Sequence, residues 1–593
     1  MGQTAARILR RLRPYRLLFL LAIAQVLAIG LLELAKPWPL KIVVDNVLAG
    51  VALPWARGAA LGARGLLALA CVAMVAIYAL LGVLAVSSNW LTIAIGQRLV
   101  NDLRSDLYAH LARLSLAFHS RREVGDLLYR LTADTFAIQT LTMNGVFPVL
   151  TSSVLLVGMT AVMLRLNWML TIVALAVIPV LVLAIGGLSR RVAQLSAEAR
   201  SRESALWALA QRSLGAIRVV QAFTSEEEEH RRFVGSSAAS LDSTLRLYTV
   251  QSVYAAAVNV VIAAGTALVL WLGASQVLDG TLTVGAVLVF STYLASLYGP
   301  VNSVYQTWSL VQGARAGVDR VFEILETEPD LPDGPRELRA SEVEGAVTFE
   351  DVHFAYEEGR PVLEGISFAV APGTLVALVG PTGAGKTTLA SLVARFYDPS
   401  RGRVLLDGID LREFRLRSLR RHVAMVLQPP LVFPGTVREN IAYGTPGVNA
   451  EDIRRAARLA QLEDFLRRLP RGLDTPIGEG GSTLSAGEQL RITIARALLR
   501  DAPLLLLDEP TAALDAETES RVMEGLARLT AGRTTFVIAH RLSTVRRADV
   551  IVVLEAGRLV EQGSFGDLLA RGGHFARLYA AQLGPEGSRA ASR

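Results

Sequence analysis

With 593 residues the chain is too long for one compact domain, and 52% hydrophobic residues is high for a soluble protein, with most long uncharged runs falling before about residue 313. The formal net charge is +7. However, the arginines are dispersed and no basic stripe interleaves with aromatics, so nucleic acid is not an expected partner. The single cysteine, Cys71, rules out an intramolecular disulfide, a CxxC pair and a cysteine-built metal site.

Arg7 to Arg16 leads straight into an apolar run of spanning length, with no signal-peptide cleavage pattern. Six runs before about residue 313 are long enough to cross a bilayer, at about 20 residues each. They are Leu17–Leu32, Gly65–Val86, Thr140–Leu164 and Asn167–Ser189, with two more inside Tyr248–Leu278 and Thr281–Gly313. Only Arg165 and Leu166 part the third from the fourth, which predicts a tight hairpin. Arginine-rich stretches follow the second span (Arg98, Arg104, Arg113, Arg121, Arg122, Arg130) and the fourth (Arg190, Arg191, Arg200, Arg202, Arg212, Arg218). The opposite loops are short, so the positive-inside rule predicts a multi-pass protein with both termini and the long loops cytoplasmic; the expected location is a bacterial inner membrane.

Gln97–Leu114 and Gln194–Ala222 have apolar residues at helical spacing, which predicts spans that continue past the membrane; solvated hairpins are the alternative. Phe118–Gly125 and Ser213–Val220 are the expected tips. Glu33 lies near a span end beside Lys36 and Lys41, so an interfacial ion pair competes with a substrate contact there. Trp90, Tyr254, Asn259, Tyr293 and Tyr305 either line a cavity or pack between helices.

Thr327 to Arg336 is polar and holds three prolines, as a linker does. From about Gly345 short β-branched strands alternate with helices. The expected division is a transmembrane domain over 1–326, a linker over 327–344, a nucleotide-binding domain over 345–584 and a tail over 585–593. Within the third region, Gly380, Pro381, Thr382, Gly383, Ala384, Gly385, Lys386, Thr387 and Thr388 fit the P-loop pattern. The apolar run Thr374–Val379 precedes them as a strand, and Leu389–Arg395 follows as a helix.

The residue types suit phosphate. Glycines let several backbone N–H groups face one anion, and a helix N-terminus adds partial positive charge. Lys386 is expected to reach the β- and γ-phosphates of ATP, and the Thr387 hydroxyl to ligate Mg²⁺. Arginine has nearly displaced lysine in this chain, whose only lysines are Lys36, Lys41 and Lys386. One is kept where a compact ammonium serves and a forked guanidinium does not. Leu504–Leu507 leads into Asp508 and Glu509, a buried strand ending in two carboxylates. Asp508 suits Mg²⁺, and Glu509 suits polarising the attacking water.

Leu484, Ser485, Ala486, Gly487 and Glu488, followed by Arg491–Ala497, resemble the ABC signature motif and its helix. From the first span to about Leu583 the chain resembles an ABC half-transporter of the six-span exporter type. The resemblance implies an all-α six-helix transmembrane domain followed by an α/β P-loop NTPase domain. It further implies that Tyr356 stacks on adenine, that Gln428 senses Mg²⁺ and water, that Asp515 communicates across a dimer and that His540 is the γ-phosphate switch. In the family, the P-loop side of one domain and the signature of another close over each ATP. One P-loop and one signature per chain therefore imply a dimer, either with a second copy or with a homologous half-transporter.

The signature departs from the usual LSGGQ at Ala486 and Glu488, and Pro429-Pro430 replaces an acidic residue common after Gln428. The expected function is ATP-driven export of a hydrophobic or amphipathic small molecule, lipid or peptide. The alternatives are an ATP-gated channel, a regulatory subunit, or one half of a heterodimer with a degenerate site. A soluble DNA-repair ATPase, which also carries an ABC signature, is excluded by the six apolar runs.

Overall fold

A computed structural model describes residues 10–51, 62–478, 484–508, 516–539 and 542–581. The chain divides into two compact units. One is Met1–Leu111 with Gly125–Glu326; the other is Ala112–Val124 with Thr327–Arg593.

The first unit is helical. Its long helices are α1 (Arg16–Ala35), α2 (Ala63–Leu111), α3 (Phe147–Leu166), α4 (Trp168–Gly215), α5 (Glu226–Leu278) and α6 (Val284–Leu325). Among the described residues five helical stretches are long and apolar enough to cross a membrane: Arg13–Leu48, Ala63–Leu111, Val124–Leu166, Glu226–Leu278 and Val284–Val301. In α4 the apolar stretch among described residues is the shorter Trp168–Val177. Helices α2 and α5 have 49 and 53 residues. At 1.5 Å per residue each is more than twice as long as a hydrocarbon core of about 30 Å. Large apolar side chains such as Val75, Val83, Val260 and Trp271 stay exposed along them, and Leu17 on α1, as on helices whose outer faces meet lipid.

The hairpin between α3 and α4 turns on one residue. Asn167 leaves helical geometry at φ −161°, its side-chain oxygen accepts from Leu170 N–H at 3.0 Å, and its amide donates to Gln276 at 2.6 Å. Two buried carboxylates cross-link other helices. Asp45, beyond the end of α1, accepts from Lys41 Nζ at 2.5 Å, Thr283 Oγ1 at 2.7 Å and Gly285 N–H at 2.7 Å, which caps the start of α6. A Cβ at Gly285 would stand 2.6 Å from that carboxylate, so only glycine admits it. Asp134 takes both arms of Arg320, at 2.8 and 2.6 Å, and ties the segment before α3 to α6. Glu33 pairs with Lys36 at 3.5 Å. Tyr293 is buried, donates to the Leu34 carbonyl and accepts from Trp38 Nε1 at 3.1 Å, so it packs between helices rather than lining a cavity.

The second unit is built on two large sheets, beside a two-stranded ladder of Gly435–Thr436 with Pro476–Ile477. Strands β1 (Val347–Glu357), β2 (Arg360–Val370), β3 (Leu375–Val379), β4 (Arg401–Leu406), β5 (Ile409–Asp410) and β6 (Val423–Val426) precede β7 (Leu504–Asp508), β8 (Thr534–Ile538), β9 (Val550–Glu555) and β10 (Arg558–Gly563). The first sheet runs β2-β1-β4-β5 and is antiparallel; the second runs β10-β9-β3-β8-β7-β6 and is parallel except for β10. Strand β3 and the first four residues of β7 read as unbroken apolar runs, and β8 opens on two buried threonines, because both faces of these strands are covered.

The proline-rich stretch before β1 lies against this unit. Arg336 N–H donates to Glu413 O at 2.9 Å and its carbonyl accepts from Arg415 N–H at 2.8 Å. A Cβ at Gly334 would meet the Glu413 backbone at 2.2 Å. The buried Arg395 reaches the Pro332 carbonyl at 2.9 Å.

Candidate nucleotide site

The site begins where β3 ends. Gly380, Gly383 and Gly385 have φ of 153°, 82° and 97°. Only glycine fits at Gly380, where a Cβ would lie 2.1 Å from Leu554 O, and at Gly385, where it would lie 2.5 Å from Leu363 Cδ2. The turn delivers the chain into α7 (Lys386–Val393), whose first residue is Lys386. Lys386 is 6% exposed, and its Nζ donates to the Gly380 and Pro381 carbonyls at 2.9 Å each. The ammonium thus folds back over the loop it belongs to. A phosphate arriving there exchanges two neutral carbonyl acceptors for an anionic one, a charge-assisted bond about twice as strong.

Thr387 is exposed at the start of α7, and Thr388 is buried and shares a 3.0 Å hydrogen bond with the Tyr356 hydroxyl. Tyr356, at the end of β1, is 41% exposed, which leaves part of the side chain accessible to a ligand. Phe354 and Tyr397 hold the ring edge-on at centroid distances of 4.9 and 5.2 Å. Burial, and then the neighbouring Tyr356, push the Tyr397 phenol above its ordinary pKa, so it stays a neutral hydroxyl. The segment Ala112–Val124 completes this corner. Arg121 donates to the Tyr356 carbonyl at 3.0 Å, and Ser115 donates to Asp330 at 2.5 Å. Arg121 was legible as part of a loop tip; nothing in the sequence couples it to Tyr356.

Asp508 ends β7 and pairs in register with Ile538 of β8, which in turn pairs with Leu378 of β3. Two strand spacings of about 4.8 Å therefore separate Asp508 from the strand carrying the P-loop, along one sheet edge. Gln428 lies two residues beyond β6 at that same edge and is exposed. The oxygens of Thr387, Asp508 and Gln428 are the hard donors that Mg²⁺ takes. Among the described residues no three His, Cys, Asp or Glu side chains group as a metal site, so such an ion would draw most of its oxygens from phosphate and water. Glu509, Asp515 and His540 lie outside the described residues.

The signature opens helix α8 (Ala486–Arg500) with Ser485 as N-cap. A capping box closes it: Ser485 Oγ accepts from Glu488 N–H at 3.3 Å, while Glu488 Oε2 accepts from Ser485 N–H and Oγ at 2.9 Å each. Ala486 is exposed, and Gly487 is buried with its carbonyl taking Arg491 Nε at 3.3 Å. Leu484 packs against the core. Arg468, which sequence reasoning missed, donates to Glu488 Oε1 at 2.8 Å.

A phosphate-cradling loop beside a strand-edge carboxylate, joined in one chain to membrane-spanning helices, defines a nucleotide-driven membrane transporter. Residues 18–301 match the ABC transporter transmembrane region and residues 363–512 the ABC transporter family. The ATP-dependent lipid A-core flippase of Syntrophus aciditrophicus is 36% identical over 580 residues, covering 97% of this chain and 94% of its own. The ABC transporter ATP-binding protein YknV of Bacillus subtilis is 36% identical over 488 residues, covering 82% of this chain and 81% of its own. Among solved structures, a bacterial Atm1-family ABC exporter with ATP bound superposes with a TM-score of 0.80 at 31% identity, covering 96% of this chain and 98% of that one. The chain belongs to the ABC transporter family and is an integral membrane exporter in which an ATPase drives transport.

Proposed function

We propose that two copies of this chain form a homodimeric exporter of lipid-like amphipaths. Each ATP would be held by the P-loop of one copy and the signature of the other. The gathering of Gly380, Lys386, Asp508 and Gln428 at one sheet edge supports this reading most directly. Lys386 and the backbone N–H groups at the start of α7 bind the phosphates. Tyr356 stacks on the base. Thr387, Asp508 and Gln428 hold Mg²⁺, which when bound spreads the phosphate charge. Glu509 orients the attacking water, His540 meets the γ-phosphate, and Asp515 communicates with the partner copy. The lipidic substrate class rests on the flippase relatives and on the apolar first unit. The arginine-rich stretches support cytoplasmic termini, and the bacterial sources of the relatives support an inner bacterial membrane.

Ala486 supports the homodimer. It is the first residue of α8, where alanine is a better helix former than glycine, and its methyl meets solvent within the chain. The capping box that orients Ser485 is complete despite it. The test is ATPase activity of the chain purified alone in lipid nanodiscs, with Glu509→Gln as blank. Activity well above the blank is expected. Activity no higher than the blank, in a sample that binds ATP, overturns the homodimer in favour of a missing partner with a fuller signature.

A further inference from the structure

A cavity of about 430 Å³ opens in the first unit between the residues that precede α1 and the charged end of α2. That volume falls within the range of small-molecule sites, roughly 300–1,000 Å³. Arg10, Arg11 and Arg13 line one wall; Leu99, Asp102 and Asp106 of α2 line the other. The two carboxylates are already engaged. Asp106 is paired with Arg11, and Asp102 accepts from the Tyr15 hydroxyl. Arg10 and Arg13 have no ion-pair partner among the described residues. The cavity therefore keeps one positive charge in excess and two guanidinium forks free to donate.

Its depth in the bilayer can be read from the two elements that bound it. Leu17, the second residue of α1, is an exposed apolar side chain, and Arg13 is only four residues earlier. On α2 the exposed apolar residues run to Ile93, Trp90 stands 66% exposed near that boundary, and the charges begin at Arg98. From Ile93 to Leu99, the first residue of α2 to line the cavity, the helix rises about 9 Å along its axis. The polar headgroup zone beyond the hydrocarbon is roughly 5–8 Å thick on each side. An exposed tryptophan on the apolar side is the residue type that anchors such an interface. Arg13, about 6 Å before Leu17 along the chain's helical rise, thus falls within that zone and the apolar floor at Leu99 at its outer edge, with Asp102 and Asp106 on the aqueous side.

We infer that this cavity binds the phosphodiester of an anionic phospholipid and thereby ties the start of α1 to α2. A phosphodiester carries one negative charge, which matches the excess, and its free oxygens suit two guanidinium forks. The glycerol and first methylenes would lie on Leu99. The assignment rests only on the first unit crossing a membrane, and not on the nucleotide site.

The test is native mass spectrometry of the full chain taken from nanodiscs of phosphatidylglycerol and phosphatidylcholine in equal parts. Wild type should retain phosphatidylglycerol selectively. Arg10→Ala with Arg13→Ala should lose roughly 30-fold in that selectivity, about five-fold for each arginine near an anionic surface. Arg231→Ala with Arg232→Ala, which removes the same charge at the start of α5, should leave it intact. Equal retention in both double variants overturns the site. So does displacement of the lipid by millimolar glycerol 3-phosphate, which would make it a site for soluble phosphates. Should the first pair of substitutions prevent folding, Asp106→Asn decides: releasing Arg11 should raise selectivity about five-fold, and no rise refutes the inference.

Discussion

Arg468 and Glu488 form the pair whose removal most directly probes the altered signature. In a signature ending in glutamine the side chain that braces the serine is neutral; here it is a carboxylate, with its Oε2 2.9 Å from Ser485 Oγ. A phosphate oxygen that took the hydroxyl proton in place of Glu488 would come within about 5–6 Å of the carboxylate oxygen. The repulsion is about 0.7 kcal/mol per unit of phosphate charge at that distance in water, and about twice that where solvent is partly excluded. Arg468, 2.8 Å from Glu488 Oε1, cancels it locally. With 68% of its side chain exposed, the pair itself adds under about 1 kcal/mol to folding, so its effect is expected on nucleotide rather than on stability.

Arg468→Ala should therefore raise the KM for ATP by roughly 5- to 30-fold, or about 1–2 kcal/mol, with kcat changed less than two-fold. Glu488→Gln in the same chain should restore the wild-type KM, since it removes the charge that Arg468 neutralises while keeping an acceptor for Ser485. The assay is steady-state ATPase activity against ATP concentration in nanodiscs for wild type, both single variants and the double variant. An unchanged KM in Arg468→Ala, or a double variant as impaired as the single one, would refute the electrostatic argument.

Four further outcomes are expected. Lys386→Ala should abolish ATP binding by equilibrium dialysis; unchanged affinity would remove Lys386 from the phosphate site. Glu509→Gln should bind ATP with hydrolysis reduced at least 100-fold and accumulate a closed dimer by cross-linking, whereas wild-type turnover would reassign the water-polarising role. Ala486→Gly should leave turnover of the chain alone within two-fold and cost up to about 1 kcal/mol at the start of α8; a several-fold rise in turnover would favour a heterodimer. Arg320→Ala should destabilise the first unit by about 2–3 kcal/mol, because Asp134, with 4% of its side chain exposed, would be left as an unpaired buried carboxylate. Thermal unfolding in detergent checks this, and Asp134→Asn with Arg320→Ala should recover part of the loss.

What the amino-acid order determines by itself here is local. The P-loop is legible because a strand, a glycine turn and a helix start are consecutive, so β3, Gly380–Gly385 and α7 are contiguous in sequence as in space. The membrane helices are legible because lipid imposes a length on each one separately. The α8 capping box is equally local, with Ser485 and Glu488 three residues apart. What only the tertiary structure decides is which distant groups meet. Strand order brings Asp508 and Gln428 to the edge that carries Gly380, and a parallel sheet with crossovers does not announce its order in the chain.

Arg121 meets Tyr356 across 235 positions, and Asp45 meets Thr283 across 238. Arg468 meets Glu488 across only 20 positions, yet no periodicity in the sequence links the two. Polar contacts of this kind are chosen by packing of the apolar faces around them. Tyr293 illustrates the same limit from the other side: an aromatic in a span is compatible with a cavity or with a helix seam, and only the neighbours Leu34 and Trp38 place it in the seam.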